Sequence, residues 1–412
     1  MSCTLINNGT LINGNGGPPV ENAAVLIEDD HIVAAGYEEH IKIPVSNIKR
    51  INVNGNYILP GFIDAHVHIM TDGFDREETV YTPHSLYFFN AIERMHKTIN
   101  AGVTSARDAG LADVGVKLAV DSGVITGPRL QISISPLTIT GGHFDFWLSS
   151  GLDIKPMYPG FPNGVSDGVD EVRKTVREIL RAGADFIKVM VTGGIISAND
   201  HPENTQFTTS ELDAIVNEAS YKNVQVVAHA HGSQGIKNAV NAGVNSIEHG
   251  TCIDDECIEL MLSNNTYLVP TFIAMKYNKE QAEDKTSKIP DWGREDAIRM
   301  EKVHGNNIKK AYKAGVKMVM GTDSGVVPHG RNLEELGYMC DMGMNPMESI
   351  VAGTKTAAES LGWADHIGTI EKGKLADIVI CKTDPLTDIK SLGNPNNILM
   401  VFKGGQVMKN IL

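Results

Sequence analysis

Four times along the chain a helix-like stretch closes on Ala-Gly and an apolar stretch follows at once: "INAGVTSARDAG", "LRAGADFIKVMVTGG", "VNAGVNSIEHGT" and "YKAGVKMVMGTDSG". Gly102, Gly183, Gly243 and Gly315 stand where a helix end needs a left-handed residue, a conformation that costs glycine little. Ahead of Gly183, "VDEVRKTVREILRAG" sets Val169, Val172, Val176 and Ile179 or Leu180 at helical spacing. Helix, glycine and strand in repetition are the pattern of a parallel α/β fold. The 412 residues, 42% of them apolar, suffice for one (β/α)8 TIM barrel of about 250 residues plus a smaller unit. Candidate barrel strands are 61–68, 103–108, 129–136, 184–190, 224–230, 244–249, 267–272 and 317–323.

The smaller unit is expected from both chain ends. "TLINNGTLING", "AAVLIEDDHIVAAG" and "INVNGNYILPG" are short β-prone stretches divided by Asn-Gly and Asp-Asp turn signals, and "GTIEKGKLADIVICK" and "NILMVFKGGQVMKN" share their texture. We expect residues 1–56 and 365–412 to form a small β-sandwich around a barrel over 57–364.

The candidate strands end on polar side chains. Asp108, Lys188, His249 and Asp323 follow their glycines by five to eight residues, and "VQVVAHAHG" and "ILPGFIDAHVH" place His229 and His66 at the same point. In an extended chain residues i and i+2 face the same way, so His66 and His68, behind Asp64, can bring two imidazoles to one point. The C-terminal strand ends of a barrel all open on one face. Taken singly, each residue has a plainer role: a core histidine, a turn aspartate, a snorkelling lysine. Together His66, His68, Lys188, His229, His249 and Asp323 make a metal site of the imidazole and carboxylate donors that suit Zn2+. Lys188 fits such a site as a carbamate formed with CO2.

Charge and cysteine content narrow the partners. Lys and Arg number 36 against 50 Asp and Glu, a net charge of -14, which argues against nucleic acid and anionic membranes. The stretch lacks a secretory signal pattern and a run of eighteen apolar residues, so a cytoplasmic location is expected. Cys3, Cys252, Cys257, Cys340 and Cys381 are odd in number and scattered, which points to reduced packing residues.

"PGFIDAHVH", "IKVMVTGG", "HAHG", "SIEHG" and "GTDSG" resemble the amidohydrolase superfamily in its binuclear, carboxylated-lysine form, along nearly the whole chain. The resemblance implies that His66 and His68 hold one metal with Asp323, that His229 and His249 hold a second, and that Lys188 bridges them as a carbamate. It implies hydrolysis of an amide by a metal-bridging hydroxide, with Asp323 moving the proton from water to the leaving amine. "TGGH" together with "HAHG" and "SIEHG" is similar to the Xaa-Pro dipeptidase-like branch, with zinc-dependent arginine carboxypeptidases as the nearest likeness, and with an octamer as the homo-oligomer to expect. The implied substrate is a dipeptide or the C-terminal residue of a short peptide, with arginine as the favoured leaving residue.

For that substrate, His143 and His231 are candidates to hold the α-carboxylate, although the branch often carries tyrosine at the position of His231. Asp145, Asp200 and Glu203 are candidates to face a guanidinium. The loop 191–208 is a candidate lid or subunit contact, and 157–164 is expected to be an exposed, rigid segment. Proline release remains open, as do cyclic amides, lactones and N-acyl amino acids. A non-enzymatic descendant would be expected to have lost ligands, and all six positions are filled.

Overall fold

The computed structural model describes residues 3–43, 48–73, 80–155, 158–197 and 200–412. The chain opens with β1 (Cys3–Leu11), β2 (Val20–Glu28), β3 (His31–Tyr37), β4 (Ile48–Asn52) and β5 (Tyr57–Pro60). A middle series follows: β6 (Phe62–Val67), β7 (Val103–Asp108), β8 (Arg129–Ile132), β9 (Ile187–Met190), β10 (Val226–Ala230), β11 (Ser246–His249) and β12 (Tyr267–Val269). The chain closes with β13 (Ile378–Cys381), β14 (Ile398–Lys403) and β15 (Gln406–Asn410).

Opening and closing strands form one eight-stranded sheet in the order β15-β14-β13-β5-β1-β2-β3, with β4 paired to β1. The two ends therefore do associate. Their hydrogen bonding runs as one continuous sheet, because β1 takes β2 along one edge and β4 and β5 in succession along the other. Ile6, Val25, Ile27, Ile58, Ile378 and Phe402 share an apolar cluster on it. Gly61 separates β5 from β6, and its close approach to the Thr104 side chain leaves no room for a Cβ.

The middle strands are parallel. β6-β7-β8 and β9-β10-β11-β12 are two separate ladders, and among the described residues the regular ladders do not close into a barrel. Between β8 and β9 the join is a single bridge, Leu137 with Val189, because Ile134 turns to φ 64° and Pro136 follows. That shortens the strand expected over 129–136. The strand expected over 267–272 likewise stops at Val269, where Pro270 and Thr271 (φ 51°) intervene. The segment expected as an eighth strand, 317–323, makes a single bridge, Met318 with Leu268, and Ser324 just beyond it bridges Val67, in place of a ladder. Met320 O nevertheless accepts Ala65 N at 3.0 Å and His66 O accepts Asp323 N at 2.7 Å, so this segment lies between β12 and β6.

Helices alternate with these strands: α1 (His84–Asn100), α2 (Val114–Asp121), α3 (Val169–Arg181), α4 (Thr209–Ser220), α5 (Ser233–Ala242), α6 (Asp255–Asn264), α7 (Phe272–Glu283) and α8 (Asp291–Ala314). Gly102, Gly183, Gly243 and Gly315 all take φ between 95° and 101°, the left-handed turn that their spacing requires. In α3, Val172, Val176 and Ile179 are fully buried, each contributing about 1.5–3 kcal/mol relative to exposure. Among the described residues no helix is long and apolar enough to cross a membrane. The five cysteines are free thiols.

Candidate metal centre

Strand β6 explains why a buried run ends on two histidines. Asp64 and His66 share its inward face and are buried, with His68 just beyond the strand end. Asp64 accepts Thr322 N at 3.1 Å, Thr322 Oγ1 at 2.6 Å and Asn332 Nδ2 at 2.8 Å, so it stitches β6 to the segment carrying Asp323. Burial raises its pKa to about 6. Asp108, at the end of β7, accepts backbone N–H groups of Ile69, Gly110 and Ala112 at 2.7, 3.1 and 3.2 Å, which makes it a loop anchor.

Each imidazole is fixed through one ring nitrogen, which leaves the other for a ligand, although His68 Nε2 also faces the Asp323 carboxylate. His66 Nδ1 donates to Glu248 Oε2 at 2.6 Å and His68 Nδ1 to Gly110 O at 3.3 Å. His249 Nδ1 lies 2.7 Å from Thr271 Oγ1, and His231 Nδ1 lies 2.8 Å from Thr251 Oγ1. His229 is turned the other way, with Nε2 donating to Gly193 O at 3.2 Å. Ring centroids separate His66 from His249 by 5.0 Å, His229 from His249 by 4.7 Å and His231 from His249 by 4.9 Å. Burial holds His66, His229, His231 and His249 neutral, His66 at a pKa of about 4 and His231 at about 3, so their lone pairs are available for a cation, whereas at His68 burial is outweighed by the Asp323 carboxylate, which raises the pKa.

Lys188 lies at the middle of this group. It is 1% exposed, and among the described residues its Nζ has no hydrogen-bond partner. A buried, unpartnered ammonium costs several kcal/mol (order of magnitude), and burial accordingly lowers the Lys188 pKa to about 8. Asp323 Oδ1 stands 3.3 Å from His68 Nε2 and 3.5 Å from His66 Nε2. Burial would raise its pKa, but the His68 hydrogen bond and the neighbouring His66 and Lys188 charges hold it well below the usual carboxylate range. His66, His249 and Asp323 place ligand atoms within 4.8 Å of one another, as do His229, His231 and His249. Neutral imidazoles, an ionised carboxylate and an orphaned amine fit divalent metal; no purely structural role satisfies the amine.

The structure gathers the six expected ligand positions and adds two charged residues that sequence reasoning left without a role. Glu248 accepts Arg107 Nη2 at 3.0 Å and Ser246 Oγ at 2.5 Å besides His66. Both Arg107 and Glu248 are wholly buried. Burial would push the Glu248 carboxyl up, yet Arg107 and His66 pull it down to about 2. Glu248 alternates with the outward Ile247 in "SIEH", a position that marks an inward side chain. His231 also stands closer to the metal donors than its expected carboxylate role required. "HAH" at 229–231 repeats the i, i+2 logic of "HVH" at 66–68.

His143 is brought to the site, its ring 4.4 Å from that of His229, with Nδ1 2.6 Å from Ser197 Oγ. The acids expected to face a guanidinium are already engaged. Asp145 accepts Gly141 N at 2.8 Å, Asp200 accepts Gln206 Nε2 at 2.8 Å and Asn204 Nδ2 at 3.0 Å, and Glu203 pairs with Arg299. The arrangement therefore gives the arginine preference no support from an unengaged acid. In the loop after β9, Thr192 and Gly193 bond His231 N and His229, so the described part of 191–208 is a wall of the site. In the segment expected to be exposed, Pro159, Gly160 and Asn163 are exposed, whereas Phe161 is 8% exposed and Tyr158 Oη donates to Asp113 at 2.8 Å; Met157 lies outside the described residues.

Residues 57–408 match the amidohydrolase family. The chain is similar to the ochratoxinase of Aspergillus niger, 33% identical over 98% of this chain and 86% of that protein. A crystal structure of that enzyme superposes with a TM-score of 0.87 at 32% identity, covering 99% of this chain and 96% of the other. A Xaa-Pro dipeptidase with methionine bound in its active site superposes with a TM-score of 0.91 at 34% identity, covering 98% and 99% of the two chains. A prolidase complexed with N-methylphosphonate-L-proline does so with a TM-score of 0.91 at 30% identity, covering 99% and 100%.

Proposed function

The chain belongs to the amidohydrolase family, and from that premise we propose that this metal-dependent hydrolase cleaves the amide bond between an acyl group and an amino acid with a free carboxylate, as in dipeptides and N-acyl amino acids. The observation that carries the reading is the grouping of His66, His249 and Asp323 and of His229, His231 and His249, with His68 against Asp323, around the buried Lys188, whose Nζ has no partner among the described residues and whose charge acts on each of them. The joins between the two parallel ladders and the segment 317–323 support a (β/α)8 barrel with its catalytic face at these strand ends, and the pairing of β5 with β1 and β13 supports an accessory unit that extends from the expected residues 1–56 to residue 60, together with 365–412.

His66, His68, Asp323, His229 and His249 would hold two divalent ions, zinc by donor type, with Lys188 as a carbamate. Such ions activate water and polarise a carbonyl. Asp323 takes the proton of the attacking water at its carboxylate and passes it to the leaving nitrogen. Glu248 keeps the His66 Nδ1 proton in place. His143, with Nδ1 tied to Ser197, offers its other nitrogen to the substrate carboxylate, and the low exposure of the rings excludes bulk water. The free thiols agree with a reducing, cytoplasmic setting.

The test is amino acid release from zinc-loaded protein given Ala-Leu, Ala-Pro, Ala-Arg and N-acetyl-leucine, alongside metal analysis. Release from Ala-Leu and N-acetyl-leucine supports the reading. Release confined to Ala-Pro would favour a prolidase, the reading suggested by two of the structural relatives. Two bound metals without release from any of the four would refute it.

A further inference from the structure

The donors are not equally shielded. The side chains of His68 and Asp323 are 13% and 12% exposed, against 2% for His66. Substrate therefore reaches the centre on the His68 side, and an aromatic wall stands there. The Phe144 ring lies 6.4 Å from that of His68, with the planes 27° apart, and 6.5 Å from that of His143. Phe146 packs edge-on against Phe144 at 4.7 Å and 70°, within the range in which aromatic rings attract.

Two backbone features show that this ring is held in place. Phe144 sits at φ 78°, a conformation unfavourable for a bulky side chain and of the kind that clusters at binding sites. Gly110, whose carbonyl orients His68, makes the space: a Cβ there would lie 3.4 Å from Phe144 Cζ and 2.8 Å from Pro136 Cγ. The charged neighbour in "GGHFDF", Asp145, does not offset this apolar surface, because its oxygens accept Gly141 N at 2.8 Å and Trp147 N at 3.4 Å. Both phenylalanines are partly exposed, although Phe144 borders the main core. A partly buried aromatic pair beside reactive groups is a surface that a flat apolar group would complete.

We infer that Phe144 and Phe146 form the specificity pocket for an aromatic or large apolar side chain on the leaving amino acid, whose carboxylate the adjacent His143 takes. This rests on the amide hydrolysis proposed above, and it names the substrate class of that site: amides of apolar amino acids, with charged leaving residues disfavoured.

The experiment compares kcat/KM for Ala-Phe, Ala-Ala and Ala-Arg in the zinc-loaded full-length protein and in Phe144→Ala, Phe144→Leu and Phe146→Ala. The readout is the ratio of Ala-Phe to Ala-Ala within one preparation, so a general loss from misfolding cancels. Wild-type protein is expected to favour Ala-Phe over Ala-Arg by about tenfold or more, and Phe144→Ala to lower the Ala-Phe to Ala-Ala ratio by about 10- to 100-fold. Phe144→Leu, which keeps an apolar wall, is expected to retain most of the ratio. An unchanged ratio in both alanine variants, or a wild-type preference for Ala-Arg, overturns the inference. Calorimetric binding of L-phenylalanine separates the two proposals. If no dipeptide is cleaved, the proposed reaction falls, yet L-phenylalanine binding that weakens about tenfold in Phe144→Ala still supports the pocket, and binding insensitive to both phenylalanines overturns it.

Discussion

The buried pair of Arg107 and Glu248 allows stability and metal binding to be separated. Glu248 accepts Arg107 Nη2, Ser246 Oγ and His66 Nδ1 at 3.0, 2.5 and 2.6 Å, and neither partner of the ion pair reaches solvent. Glu248→Leu leaves the guanidinium without its counter-charge, and Arg107 Nη1 already lacks a partner. Breaking a buried pair from one side costs about 3–5 kcal/mol, whereas replacing both partners with apolar residues of similar volume is often neutral or stabilising. Glu248→Leu and Arg107→Met are therefore each expected to lower the urea-unfolding free energy of the metal-free protein by about 3 kcal/mol or more. The double variant should return to within about 1–2 kcal/mol of wild type. Metal affinity should follow a different pattern, because His66 loses the group that fixes its Nδ1 proton in both variants lacking Glu248. Competition with a chelator is expected to show affinity reduced about 10- to 100-fold in Glu248→Leu and in the double variant, and nearly preserved in Arg107→Met. Wild-type affinity in the double variant, or a stability loss below about 1 kcal/mol in Glu248→Leu, would show that the pair neither orients His66 nor carries a buried charge.

Three further outcomes can be measured directly. Lys188→Met removes the unpartnered amine, so the metal-free protein should unfold at equal or higher urea concentration while bound metal per chain falls; unchanged metal content would exclude Lys188 from the centre. Asp323→Asn should lower kcat by about 10²- to 10⁴-fold with the fold intact by circular dichroism, and near-normal turnover would remove Asp323 from proton transfer. His304, 1% exposed against the Phe272 ring, has its pKa lowered by burial from 6.5 to about 3, so the unfolded chain binds the proton first as pH falls. Its contribution is complete above pH 6.5 and is lost progressively below, by up to about 1.4 kcal/mol per pH unit; His304→Phe should flatten the dependence of unfolding free energy between pH 6.5 and 4, and an unchanged slope would contradict the assignment.

Much of the site is legible because it follows strand periodicity. His66 and His68, Lys188, His229 and His249 stand where short apolar runs end, and Gly183 and Gly243, before the runs that carry Lys188 and His249, take the left-handed φ that their spacing requires. What stayed hidden depends on partners remote in sequence. Glu248 acquires its role from His66, 182 positions away, and Arg107 from Glu248, 141 positions away, distances over which composition carries no signal. The arginine preference gains no support for a related reason: Asp145, Asp200 and Glu203 look free as letters, but backbone amides, side-chain amides and Arg299 already bond to them. Strand ends were misjudged where one residue turned to positive φ, as at Ile134 and Thr271.

Those turns have a common location. Among the described residues, positive φ at Asn8, Asn22, Asp29, Asn54, Asn223 and Asn265 falls on Asn or Asp, side chains that tolerate the left-handed region. The others are Leu111, Ile134, Phe144, Phe207, His249, Thr271 and Asp323. Each lies at or beyond the C-terminal end of a parallel strand or of the 317–323 segment. Non-glycine residues in such conformations cost on the order of 1–3 kcal/mol and persist only where surrounding structure enforces them. Here the strain re-aims side chains: His249 and Asp323 toward the other donors, Thr271 toward His249 Nδ1, and Phe144 beside His68. Strict alternation would send successive residues of β11 to opposite faces, yet Glu248 and His249 both serve the centre. The positive φ of His249 breaks that alternation, which is how one strand end supplies both a metal donor and the carboxylate that orients another.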